Sequence, residues 1–315
     1  MRFRFVLAAL LICAHATGRA QSTDAPSVHV GGYVQFDYLA PLGERTEGDQ
    51  TFRFRRVRLA LSGALVEHID WMVTIEATTT PMLRDAYIAL KHVPAATVRL
   101  GQFVMPHGLE QYVISSNSLE FTERLLTPLV SNRDAGVMVT NTRPFGGWLT
   151  YAVAVTNGTG MNVRDDNDAK DAVVRVTATP PAIRGLQISV NGARGEQVAG
   201  MRTRRGADIS LERHAYHLAA EFEAERIDTV TRRHGFYVLG SWRLYPSAPR
   251  RLFDHVEFGS RYGRITGGEP FGQWEIGANY YLQPAVRLMC DYIVHTDRAA
   301  GAPRHTLHAR ANFRF

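Results

Sequence analysis

The chain has 315 residues, with 36 Lys and Arg against 30 Asp and Glu and a formal net charge of +6, too mild a basic excess to point to nucleic acid. Residues 1–20 read as a signal peptide for export, because Arg2 and Arg4 precede the apolar run Phe5 to Cys13 and Gly18-Arg19-Ala20 offers small residues for cleavage. The remaining 21–315 are expected to form one domain. Its single cysteine, Cys290, can close no internal disulfide, and no apolar stretch reaches the roughly 18 residues of a membrane-spanning helix.

Past the leader, apolar and polar side chains alternate with a period of two and almost no 3.6-residue pattern, which reads as all-β. In chain order the expected strands are 28–39, 51–65, 70–78, 83–91, 97–103, 134–142, 148–156, 171–178, 186–193, 206–211, 216–227, 235–244, 252–263, 273–282, 286–295 and 305–315, an even sixteen. Within 51–65, Arg53, Arg55, Arg56 and Arg58 stand without an acid. Arg56 and Arg58 oppose Leu59 and Leu61, whereas Arg53 and Arg55 have the other parity and require a bulge near Arg55-Arg56 or a position above the lipid. Within 216–227, Leu218, Ala220, Phe222 and Ala224 oppose Glu221, Glu223 and Glu225. The last strand sets Leu307, Ala309, Ala311, Phe313 and Phe315 against His308, Arg310, Asn312 and Arg314.

Several of these runs reach ten to twelve residues, longer than a soluble sandwich needs and long enough for a tilted strand to cross a bilayer. Connections alternate between short (66–69, 143–147, 212–215, 283–285) and long (40–50, 104–133, 157–170, 194–205). With Trp71, Trp242 and Trp274 near strand ends and both termini on the short-turn side, this describes a closed antiparallel transmembrane β-barrel of sixteen strands. Trp148 is also terminal, with inward parity. Closure follows from the cost of unpaired backbone groups in hydrocarbon.

Sixteen strands enclose a lumen too wide for side chains to fill. Inward by parity are Arg56, Arg58, Lys91, Arg99, Arg175, Arg243, Arg261, Arg287, Arg310 and Arg314, against Asp37, Glu76, Asp85, Glu221, Glu223, Glu225, Glu257, Glu275 and Asp291. The wall as a whole therefore sets no ion sign. Guanidinium suits phosphate and carboxylate oxygens, so the arginines of 51–65 can draw anions in; equally, they can pair with lumen acids and stiffen the wall. The connection 104–133 carries Glu110, Glu120, Glu123, Arg124 and Arg133. Its length predicts a task, either folding inward to narrow the lumen or forming a subunit contact at the surface.

Phe54-Arg55-Arg56-Val57-Arg58-Leu59, Leu83-Arg84-Asp85-Ala86-Tyr87-Ile88, Gly101-Gln102-Phe103 with Pro106 and Glu110, Phe121-Thr122-Glu123-Arg124, Asn132-Arg133-Asp134-Ala135-Gly136-Val137, Asn157-Gly158 and Gly277-Ala278-Asn279-Tyr280-Tyr281-Leu282 follow one another in the chain. Together they resemble the phosphate-selective porin O and P family. The resemblance implies an outer-membrane barrel, usually trimeric, whose long third external loop folds into the lumen and whose arginine ladder passes anions. It carries the ladder onto Arg55, Arg56 and Arg58, with Arg53 beside them, and the constriction loop onto the stretch from Glu110 through Glu123 and Arg124 to Arg133. The family associates strong phosphate selection with lysines in the constriction, and 104–133 contains none; Lys91 and Lys170 are the only lysines in the chain.

The expectation is a passive porin for small hydrophilic solutes with a mild preference for anions, phosphate or polyphosphate among them. It would be a homotrimer in the lipid bilayer of the outer membrane, inserted by the barrel assembly machinery with Phe315 as the assembly signal. No cofactor, metal, nucleic acid or catalysed reaction is expected. The twelve His are scattered, and Asp165, Asp166, Asn167 and Asp168 read as a solvated loop rather than a calcium site. Two other readings remain: an outer-membrane hydrolase with a Ser, His and acid or amide on neighbouring strands, and a structural or adhesive barrel with an occluded lumen.

Overall fold

The computed structural model describes residues 26–42, 50–116, 118–141, 144–228, 231–244, 255–268, 270–297 and 305–315. The expected signal peptide and most of the connection 40–50 lie outside them. The strands are β1 (His29–Leu42), β2 (Thr51–Val66), β3 (Ile69–Glu76), β4 (Leu83–Leu90), β5 (Ala96–Val104), β6 (Arg133–Asn141), β7 (Leu149–Thr156), β8 (Asp171–Ala178), β9 (Leu186–Gln197), β10 (Gly200–Arg213), β11 (Tyr216–Ile227), β12 (Thr231–Arg243), β13 (Val256–Thr266), β14 (Phe271–Gln283), β15 (Val286–Asp297) and β16 (His305–Arg314). Each pairs antiparallel with its sequence neighbours, and β1 pairs with β16 to close the barrel. Phe315 completes the seam, donating its N–H to the Gly32 carbonyl at 3.1 Å and accepting from the Gly32 N–H at 3.0 Å.

The faces are inverted relative to a water-soluble protein. Leu218, Phe222, Val238, Phe258, Trp274 and Ile276 are exposed on the outside, while all nine acids of inward parity are buried. An exterior of this kind is stable only against lipid. Trp242 and Trp274 are exposed on it; Trp148, of inward parity by sequence, is instead exposed in the turn before β7.

Two bulges redirect arginines. Between β1 and β2 the register steps from Gln35↔Arg56 to Phe36↔Phe54, leaving Arg55 as the extra residue. That step puts Arg53 opposite Asp37 and turns Phe52 and Phe54 outward beside Phe36 and Tyr38, with ring centroids 4.7–5.8 Å apart. Between β3 and β4 the register steps from Thr74↔Asp85 to Ile75↔Leu83, leaving Arg84 extra.

One expectation needs correction. The connection 194–205 is not a long loop: β9 runs to Gln197 and β10 starts at Gly200, with only Val198 and Ala199 between them. Its polar, Gly-rich sequence belongs to strand ends that rise beyond the hydrocarbon, where an apolar outward face is no longer required. The strands also differ in length around the barrel. β3, β4, β7 and β8 have 8 residues and β5 and β6 have 9, against 11 to 14 from β9 to β15. At about 3.4 Å per residue and about 45° of tilt, eight residues rise only about 19 Å, less than the roughly 25 Å apolar band.

Candidate functional site

The connection 105–132 folds into the lumen and is held there along its length. At its neck the Met105 N–H donates to the Asn132 carbonyl at 2.8 Å. Gly108, with φ +79°, then turns the chain into a single helical turn, Leu109–Val113. A Cβ at Gly108 would lie 2.8 Å from Glu221 Oε1, so only glycine lets the Leu109 and Glu110 N–H groups reach that carboxylate, at 2.8 and 3.4 Å. Leu109, Phe121, Leu125, Leu126 and Leu129 bury against Ala219, Tyr237, Leu239 and Ile265 of β11 to β13. The Phe121 ring lies under the Arg261 guanidinium, 4.8 Å from it, in space left by Gly259 and Gly277.

Charged groups fix the polar side of the loop. Glu123 accepts from Arg55 at 2.5 and 2.9 Å, from Arg310 at 3.0 Å and from Arg56 at 3.4 Å. Burial works to raise the Glu123 pKa, but the hydrogen bond from Arg55 and the charges of Arg56, Arg310 and Arg55 outweigh it and bring it down to about 2. Arg310 grips Asp37 bidentately at 2.6 and 2.8 Å and also donates to the Thr122 carbonyl. Arg261, 1 % exposed, pairs with Glu110 at 2.5 Å and with Glu275, and donates to the Glu123 carbonyl at 2.7 Å. The Thr122 N–H donates to Asp291 at 2.6 Å.

His107 is sealed in: burial first, then the charges of Arg204, Arg175 and Arg202, push its pKa down to about 3, and the neutral ring accepts the Ser131 N–H at 3.2 Å. Glu120 accepts from His217 Nδ1 at 2.6 Å, and His217 Nε2 lies 3.1 Å from Ser210 Oγ. Burial raises the Glu120 pKa and the His217 hydrogen bond and charge more than offset it, so the net shift is downward.

Most of the sequence-assigned lumen arginines are neutralised in place. Arg175 makes two 2.8 Å bonds to Asp208, Arg243 pairs with Glu257 at 3.2 Å, and Arg53 lies 3.7 Å from Asp37. Arg99 packs over Tyr87 and Arg287 over Tyr281. Arg55 and Arg56 meet the loop rather than open lumen, so the ladder of 51–65 is divided: its upper members clamp Glu123 and only Arg58 continues onto the wall. There Arg58 pairs with Glu76 at 3.1 Å and lies over the Tyr33 ring at 5.2 Å. Arg133 holds Asp85 through two 3.1 Å bonds.

A second cluster lies between this wall and the loop. Arg124 gives all three of its donor groups to neutral acceptors, the Glu110 carbonyl at 2.5 Å, Ser116 Oγ at 2.8 Å and the Ile114 carbonyl at 2.8 Å. Burial lowers its pKa, Glu110 opposes that, and repulsion from Arg133 and Arg58 adds to it. Arg84 feels the same Arg133 and Arg58 and the Glu76 carboxylate, while its hydrogen bonds go to Thr79 at 3.1 Å and Met161 Sδ at 3.3 Å. Four guanidiniums, of Arg58, Arg84, Arg124 and Arg133, thus share a region with three carboxylates, of Glu76, Asp85 and Glu110, the last already paired with Arg261. Arg84 was missed in the sequence because simple alternation points it at lipid; the signal was there in Arg84-Asp85, a charged pair inside a strand like Arg55-Arg56. Arg202 and Arg204 were missed because β10 begins earlier than expected; they pair with Asp171 at 2.8 Å and Glu225 at 2.7 Å.

A closed sixteen-stranded barrel with a lipid-facing exterior and a loop pinned inside a charged lumen defines an outer-membrane porin. The family model of phosphate-selective porin O and P matches residues 28–198, and the chain belongs to that family. Solved structures share the fold at low identity. Salmonella typhi OmpF, in complex with daunomycin, is 9% identical at TM-score 0.69, covering 91% of this chain and 97% of its own. The anion-selective porin from Comamonas acidovorans is 12% identical at TM-score 0.63, covering 92% and 99%. The trimer form of OmpT from Vibrio cholerae is 11% identical at TM-score 0.61, covering 93% and 100%. No curated protein matches the chain.

Proposed function

We propose that the protein is a passive, mildly anion-preferring pore for small hydrophilic solutes, phosphate among them, working as a homotrimer. The observation that carries this is the cluster of Arg58, Arg84, Arg124 and Arg133 across the face of the inward loop, where guanidiniums outnumber carboxylates. Elsewhere most of the lumen arginines are paired with acids, so selectivity rests chiefly on this excess of positive charge and is mild. Without lysine in the loop, phosphate meets delocalised forks rather than point charges and passes as one anion among several. Toward the short turns the path opens into a cavity of about 420 Å³ lined by Glu120, His217, Arg243, Arg287 and Arg314.

The low wall of β3 to β8 supports the trimer, since strands too short to match the bilayer are covered best by other copies of the same chain. Phe315, exposed and joined to β1, is suited to be read by the barrel assembly machinery before the seam closes. Ser210, His217 and Glu120 have the order of a hydrolytic triad, yet Ser210 lies in a strand paired on both sides, where the ladder takes up the backbone N–H groups that an oxyanion would need, which favours a pore over a hydrolase. The three groups instead tie the loop to β11. Replacing Arg58 and Arg124 with Glu tests the reading; the reversal potential across a salt gradient moves toward cations, and an unchanged value refutes it.

A further inference from the structure

Parity along β9 to β13 turns a second set of arginines away from the lumen. Arg205 pairs with Ala224, and Arg226 pairs with Arg232 on the next strand; all three share the outward face with Phe222 and His234 and are exposed. Between the tips of β10, β11 and β12 they line a cleft of about 680 Å³. Arg194 and Arg264 flank it on β9 and β13, also outward. Two acids stand on this rim: Asp228 accepts the Met201 N–H at 3.0 Å and its carbonyl accepts from Arg226 Nε at 2.6 Å, while the exposed Glu196 lies opposite Met201 on β9, on the outward face with Arg194. Glu225 and Arg233 border the cleft from the lumen side, where they pair with each other.

Height fixes what these groups meet. Phe222, Phe236, Tyr262 and Trp274 form an outward aromatic band on the same strands, the last two with ring centroids 4.6 Å apart. Arg226 lies four residues beyond Phe222 toward the long-loop end, about 13 Å along the strand. Aromatic belts mark the edge of the hydrocarbon, so the cleft stands at the level of lipid headgroups in the outer leaflet. Among the described residues, the same ends of β14, β15 and β16 present Trp274, Val294 and Leu307 outward instead of arginine. The cleft's own sector has the long strands, the side of the barrel suited to face lipid.

We propose that this cleft binds the phosphate groups of the outer leaflet's phosphorylated glycolipid. Guanidinium forks engage the phosphates while Phe222 contacts the sugar or the upper acyl chain. The site lies outside the pore and does not depend on its ion preference.

The test titrates the detergent-solubilised protein with bisphosphorylated lipid A, with the same lipid dephosphorylated, and with inorganic phosphate, reading bound species by native mass spectrometry. The wild type retains the phosphorylated lipid. The variant R205Q/R226Q/R232Q weakens that binding about a hundredfold, at about fivefold per arginine beside an anionic surface, with single-channel conductance unchanged. Removing the lipid phosphates has a similar effect, and inorganic phosphate does not compete at equal concentration. Should the triple variant fail to insert, Arg226→Gln alone gives about a fivefold loss. Equal retention of phosphorylated lipid by wild type and variant overturns the proposal, as does binding that ignores lipid phosphorylation or is displaced by equimolar inorganic phosphate.

Discussion

Glu123→Gln removes the carboxylate that stands among Arg55, Arg56 and Arg310 while keeping its size and a hydrogen-bond acceptor. Two consequences can be sized. The drop of the Glu123 pKa from 4.5 to about 2 corresponds to roughly 3 kcal/mol favouring the ionised, docked state; because its side chain is 32% exposed, screening reduces this to about 2 kcal/mol. A folded-state pKa below the reference value means the stabilisation is fully present above pH 4.5 and is lost as pH falls through about 2. The wild-type loop therefore loosens across that acid window, whereas the Gln variant is loose throughout and has lost this part of the acid dependence. The second consequence is one uncompensated positive charge beside the lumen. At about 8 Å in a watery pore this is worth about 0.5 kcal/mol, or about a twofold gain in local anion concentration, less at high salt. Planar-bilayer recordings measure both, as open-channel noise against pH and as reversal potential in a salt gradient. A variant that shifts toward cations, or one that keeps the full wild-type acid response, refutes the reasoning.

Arg84→Glu changes the charge at the bulged position by two, so by the same estimate the local anion concentration falls about fivefold, and the reversal potential moves toward cations. Gly108→Ala places a methyl 2.8 Å from Glu221 Oε1 at φ +79°; at about 1–3 kcal/mol of backbone strain alone, hydrogen exchange at the Leu109 and Glu110 amides accelerates by about fivefold or more. Phe121→Ala empties a site that is 1% exposed under Arg261. Loop docking weakens by up to about 3–5 kcal/mol, and single-channel conductance rises and becomes noisier. Arg261→Met strands Glu110 and Glu275 without their buried partner, costing about 3–5 kcal/mol, and lowers the urea midpoint of unfolding in detergent.

The barrel was legible because a membrane strand must alternate: Leu307 to Phe315 against His308 to Arg314 admits one inside and one outside. The bulge at Arg55 was legible for the same reason, since two adjacent arginines cannot both face water in a regular strand. Arg84-Asp85 made the same demand and was passed over. The pairing of the lumen arginines was not legible, because Arg261 meets Glu110 and Arg310 meets Glu123 across 151 and 187 positions of sequence, through the loop rather than along a strand. What pins the loop also lay outside a parity argument. Leu109, Leu125, Leu126 and Leu129 follow no period of two, yet their presence in an external connection was itself a sign of burial. The tips of β9 and β10 were misread as loop because the alternation rule relaxes where strands leave the hydrocarbon.

The central claim, an open lumen biased toward anions by the arginines between the loop and the wall, is tested most directly by the reversal potential of the purified wild type across a tenfold potassium chloride gradient, with phosphate titrated as a blocker. The account predicts discrete conductance steps, a reversal potential of the anion-preferring sign, and a current reduced by phosphate only at high concentration. Absence of conductance steps, or a reversal potential of the cation-preferring sign, contradicts it.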